Sequence, residues 1–149
     1  MKFLKRNLKH LNNLVYINRQ ICFVYDELLK IDLNDELQEC LTESLKDREN
    51  IGKILVGKIL KLGGEAPVNI GLDRTYSNLL SKLMRMHKLN QEELLVGSLC
   101  DLEQLSVKSY DVFLQEMHIP LSICRMLIAQ RDIIQHHINH AKTQPFLVA

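Results

Sequence analysis

The sequence predicts an all-α protein, an antiparallel four-helix bundle with a short additional helix in the connection between the second and third long helices. Apolar residues recur with helical spacing through four long segments. Glycine and proline are scarce, at 6 and 3 of 149 residues, and tryptophan is absent. Leucine and isoleucine dominate instead, which favours helices over sheets rich in turns.

The first long helix is expected from about Leu8 to Lys30, with Leu11, Leu14, Val15, Asn18, Ile21, Cys22, Tyr25, Leu28 and Leu29 on one face. That face includes an amide and a phenol. "DLND" at 32–35 is a polar joint with capping residues, so the second helix returns antiparallel from about Asp35 to Leu62. It carries Leu37, Cys40, Leu41, Leu45, Ile51, Leu55, Ile59 and Leu62 and stops at Gly63 and Gly64, where a left-handed backbone is accessible. "EAPVNIG" is the longest irregular link, leading to a short amphipathic helix at about Leu72 to His87 with Leu79, Leu80, Leu83 and Met86. In "LNQEE", Asn90 is placed to cap while Glu93 reaches back. The third long helix is expected from about Gln91 to Met117, with Leu95, Leu99, Leu102, Leu105, Ser106, Ser109, Phe113 and Met117 on one side. "HIP" ends it, because Pro120 suits the opening turn of a new helix. The last helix, about Pro120 to Lys142, offers Cys124, Leu127, Ile128, Ile134, Ile138 and Ala141.

A chain of this length fits one domain, here 1–149 with a core from about 8 to 142. Its 19 basic and 18 acidic residues give a net charge of +1, which does not supply the field of a nucleic-acid binder. Only "MKFLKRNLKH" is locally basic. The four cysteines, Cys22, Cys40, Cys100 and Cys124, lie far apart without a C-x-x-C spacing and read as small buried hydrophobes of a reducing compartment. No apolar run of signal-peptide or membrane-span length occurs, so a cytoplasmic, soluble protein is expected. Phe3, Phe146 and the tail "QPFLVA" lie outside the long stripes, and extend an apolar patch suited to a protein partner or a homo-oligomer.

Candidate chemistry begins with "RDIIQHHINH" at 131–140. Taking Ile134 as zero, Asp132 and His136 lie about 160° away and His140 about 120° away, facing water, while His137 lies about 60° away at the core boundary. Asp132, His136 and His140 are therefore weak surface candidates for zinc or copper. A buried di-metal bundle site draws a glutamate from each of two helices and Glu-x-x-His from each of the other two, and this chain has no Glu-x-x-His. The polar residues expected to face inward are Asn18, Tyr25, Arg48, Ser106, Ser109 and Tyr110, with Glu103 at the boundary. Arg48 is expected to pair with Glu103 or to meet the phenols. No G-x-S-x-G elbow and no strand, glycine loop and helix order for phosphate is present. An interaction or structural module without its own catalysis or cofactor follows; the alternative is a ferritin-like metal-binding protein or oxidoreductase with an atypical iron, manganese or zinc site.

"LNNLVYINRQ" followed by Tyr25, then "SLKDREN", "LKLGGEAP" and "CDLEQLSVKSY" together resemble DUF2383, the PA2169-type family of uncharacterised bacterial ferritin-like four-helix-bundle proteins. The resemblance covers about Lys9 to Lys142. It implies a ferritin-like bundle with the short helix around Leu72 to His87, without implying ferroxidase activity. Family members place an acid after the Asn–Arg pair, where this chain has Gln20, and a Glu–Asp pair where it has Gln104 and Leu105. Those differences remove negative charge.

Overall fold

The computed structural model describes residues 2–143, which form five helices and no strand. They are α1 (Lys2–Leu28), α2 (Asp35–Lys61), α3 (Arg74–Lys88), α4 (Glu92–Leu114) and α5 (Leu121–Lys142). The four long helices form a four-helix-bundle-like arrangement. α1 packs along α2 and α4 along α5, while α1 against α4 and α2 against α5 close the other two sides; the short α3 lies on α1 and α4. His10 meets Glu116 and Tyr25 meets Glu103, so α1 and α4 run in opposite directions. Asp47 meets His137 and Lys58 meets Ser122, which orients α2 and α5 in the same way.

The core is aliphatic, with Leu11, Leu28, Leu55, Ile59, Leu95 and Leu127 fully buried. Each such side chain contributes roughly 1.5–3 kcal/mol through burial. Asn34 caps α2 by accepting from the Leu37 amide at 2.8 Å, and Asp73 caps α3 by accepting from the Tyr76 amide at 3.0 Å. α2 and α3 end in the same two-bond turn. Gly64 N–H donates to the Ile59 carbonyl and Gly63 N–H to that of Leu60; Gln91 N–H donates to Met86 and Asn90 N–H to His87. The pivots, Gly63 and Asn90, have φ of 84° and 56°.

Asn90 therefore closes α3 and does not open α4, and the capping box expected in "LNQEE" does not form. Gln91 precedes α4 with no side-chain cap bond, and Glu92 bonds His87 at 3.1 Å. The ends of α1 and α4 also differ from expectation. α1 begins at Lys2, six residues before Leu8, and ends at Leu28; α4 starts at Glu92 and ends at Leu114, before the left-handed His118.

Some apolar residues also face the other way. Leu105, Met117 and Ile128 are 64%, 72% and 41% exposed. The buried face of α4 runs through Leu99, Glu103, Ser106 and Tyr110, so Leu105, two residues from Glu103, is turned away by about 160°. Of the cysteines, only Cys100 is buried; Cys22, Cys40 and Cys124 are half-buried, and all four are free thiols. Phe3 is partly exposed and packs on His118, with ring centroids 4.2 Å apart. Phe146 and the tail lie outside the described residues. No described helix is long and apolar enough to cross a membrane.

Candidate functional site

A buried polar cluster forms where α1, α2 and α4 meet. Asn18 and Tyr25 stand seven residues apart on α1 and so share a face; Glu103 and Ser106, three apart, share one on α4. Arg48 projects between them from α2, its side chain 2% exposed. Its Nη2 donates to Glu103 Oε2 at 2.5 Å and to Ser106 Oγ at 2.8 Å, and its Nε reaches Glu103 Oε1 at 3.4 Å. Its Nη1 donates to Asn18 Oδ1 at 3.1 Å. Asn18 Nδ2 in turn donates to the Arg48 carbonyl at 2.7 Å, so one amide holds both ends of the arginine. The Tyr25 hydroxyl donates to Glu103 Oε1. Ser106 Oγ donates to the Glu103 carbonyl at 2.8 Å.

This is the planar, two-point recognition that a guanidinium makes with a carboxylate. Burial alone pushes the Arg48 pKa down, but the Glu103 charge outweighs it and holds the guanidinium protonated more firmly than usual. Burial and the adjacent Glu103 charge raise the Tyr25 phenol well above its ordinary range. A cavity of about 40 Å³ adjoins the cluster, lined in part by Tyr25, Glu103, Ser44, Cys40, Cys100 and His137. It has the volume of one or two water molecules. Burial raises the pKa of Cys40 and of Cys100, and it pushes Cys22 up to about 11, so these thiols are protonated at neutral pH rather than poised as nucleophiles.

Two residues expected in this group lie elsewhere. Ser109 is half-buried, with its hydroxyl directed at the Leu105 carbonyl at 3.4 Å. Tyr110 is buried and donates to Gln130 Oε1 of α5 at 2.9 Å, a partner that sequence reasoning did not single out. Gln20, which the sequence marks only as a departure from the family's acid, also has a buried structural role. It is buried, its Nε2 donates to the Gly71 carbonyl at 2.6 Å, and its Oε1 accepts from the Asp73 amide at 2.9 Å. It thus ties the irregular link to α1. Nothing in residue type distinguished these two glutamines from the exposed ones; only their position on the buried stripe did.

Asp132, His136 and His140 are exposed. Asp132 lies 3.7 Å from Arg131 Nε, and the His136 and His140 rings stack with centroids 6.3 Å apart. His137 is half-buried, and its Nε2 meets Asp47 Oδ2 of α2 at 2.6 Å. Among the described residues, no group of three or more His, Cys, Asp or Glu side chains is placed to hold a metal ion. No protein-family model, curated protein or solved structure matches this chain.

Proposed function

We propose that the chain is a ferritin-like helical bundle of the DUF2383 type that acts by holding a protein partner, without catalysis of its own. The order of two long helices, a short crossing helix and two long helices supports the architectural part. The same order is what the resemblance at Asn18–Arg19, Arg48 and Cys100 to Tyr110 implies.

The observation that carries the functional part is the state of Glu103. It is the single buried carboxylate among the described residues, and Arg48 already neutralises it while Tyr25 occupies one of its oxygens. A bundle that holds two metals converges several carboxylates on them. Here an arriving cation would have to displace the guanidinium and leave it buried without its counter-ion, a loss of several kcal/mol. The cluster is thus a fixed internal ion pair that sets how three helices meet. The test is elemental analysis of protein purified without an affinity tag, followed by calorimetric titration with Fe(II) under argon, Mn(II) and Zn(II). No stoichiometric uptake is expected, in the parent or in the H136A/H140A variant. Tight binding of one or two equivalents that disappears in E103Q, or in H136A/H140A, would overturn the reading.

A further inference from the structure

Charge changes sign along the hairpin of α1 and α2. From Asp35 to Glu49, α2 carries six acids against Lys46 and the buried Arg48; from Asn50 to its end it carries Lys53, Lys58 and Lys61 and no acid. From Lys2 to Tyr25, α1 has five basic residues and no acid, and Asp26 and Glu27 follow. The two helices are antiparallel, since a Cβ at Gly52 would lie 3.0 Å from the Asn18 side chain and one at Gly64 would lie 2.9 Å from that of Leu8. The two gradients therefore coincide. The end of the hairpin at the 32–35 joint is acidic, offset by Lys46 and by Lys30, which Glu27 binds at 2.8 Å. The other end is basic, with Glu65 the one acid between residues 50 and 72. Two charges of the hairpin are turned to its neighbours, Arg6 to Glu116 and Asp47 to His137.

Between the two ends lies a groove of about 740 Å³, lined by Phe23 of α1, by Gly52, Val56, Gly57 and Leu60 of α2 and by Asn69 of the link. Its charged residues balance, Asp26 and Glu49 against Arg19 and Lys53. Phe23 and Leu60 are exposed, and Val68 and Ile70, on either side of Asn69, are 83% and 66% exposed. A Cβ at Gly57 would meet nothing within 4 Å, so the groove is open there. Apolar side chains thus gather at the middle of a face whose ends are oppositely charged.

We propose that this face pairs with the same face of a second copy of the chain, in a two-fold dimer where α2 crosses α2 and α1 crosses α1, each in opposite directions. The acidic half of each copy then lies on the basic half of the other, and each Phe23 enters the groove of the opposing copy. Charge selects this occupant. A uniformly acidic partner is repelled by one half of the face and a uniformly basic one by the other, whereas a second copy turned end over end satisfies both halves at once. The net charge of +1 adds little repulsion between copies. Size is sufficient as well. The 27 residues of α2 span about 40 Å and two helices side by side about 20 Å, a face of about 800 Å², which is what a standard interface takes from each partner. The pairing goes beyond the reading of the bundle as metal-free and stands whether or not metal is bound.

The test is sedimentation equilibrium of the full chain across a concentration series, with EDTA present so that no metal bridges copies through His136 and His140. A species of twice the 17.3 kDa chain is expected, with a dissociation constant that rises with salt. F23E is expected to raise that constant at least about tenfold with its melting temperature retained, because Phe23 is exposed in the single copy. K53E/K61E turns the basic half of α2 acidic, and E39K/E43K/E49K turns its acidic half basic. Each is expected to lose at least about tenfold in self-association, and the two mixed in equal amounts are expected to form a heterodimer at close to the parent's affinity. A folding defect in either variant would not be repaired by mixing, so this result decides the matter even if F23E folds poorly. A monomer at every concentration would overturn the proposal. So would a dimer indifferent to F23E, or charge variants that self-associate like the parent or fail to pair when mixed.

Discussion

Arg48 can stay charged in the core only while every one of its partners is in place. Removing one member of such a pair leaves the other charge buried and uncompensated at a cost of about 3–5 kcal/mol, whereas replacing both with apolar side chains is close to neutral. R48M is therefore expected to lose about that amount in urea denaturation, and R48M/E103L to recover most of it. Additive losses in the double variant would show that the pair does not act as a unit. Gly52, one turn after Arg48, belongs to the same arrangement, because a Cβ there would lie 3.0 Å from Asn18 Nδ2. The phenols give a pH dependence. The folded-state pKa of Tyr25 and of Tyr110 is raised above the unfolded value near 10, in both cases first by burial. The native state thus keeps protons that the unfolded chain loses, so their contribution is complete below about pH 10 and falls as pH rises beyond it. Phenolate absorbance and circular dichroism followed together into alkali should show these two tyrosines ionising only as helix is lost. Ionisation ahead of unfolding would contradict the assignment.

The elements were legible where apolar periodicity and turn chemistry agreed. "LGG" reads as a helix stop and is one, with Gly63 supplying the left-handed turn and Gly64 the space between Ile59 and Leu8, whose side chains a Cβ would meet at 2.9 Å. "LNQEE" misleads, because Asn with Glu three residues on spells an N-terminal box, while the chain uses Asn90 as the left-handed end of the previous helix. Only the backbone angle separates the two uses. N90G is expected to stabilise by several tenths of a kcal/mol and G63A to destabilise by about 1 kcal/mol, both read by thermal melting. Leu105 and Ile128 were misplaced for a different reason. A stripe drawn through the largest apolar side chains takes in Ser106 but puts Glu103 only at its boundary and leaves out Gln130, although all three lie on the buried faces, since burial of polar groups depends on partners from other helices. The Arg48–Glu103 pairing was visible as one option among the inward polar residues; its geometry and the diversion of Tyr110 to Gln130 were not.

At the scale of the whole molecule, two helical hairpins, α1 with α2 and α4 with α5, are joined through a link that Gln20 and Arg19 fasten to α1. Arg19 Nη1 donates to the Pro67 carbonyl at 2.5 Å. Between the hairpins α3 stands apart, for Leu83 is its one fully buried side chain, whereas each long helix buries at least five residues. A segment so lightly held opens on its own before the rest of the protein does. Native-state hydrogen exchange should accordingly find the α3 amides exchanging through a local fluctuation insensitive to denaturant, while amides at the centres of α1 and α4 wait for global unfolding. Exchange of all three at one common free energy would mean that α3 is as integral to the cooperative unit as the long helices. If it opens alone, the seam between α1 and α4 lengthens toward its full extent for a fraction of the time, so the molecule has a second accessible surface whose population is set by the stability of one short helix.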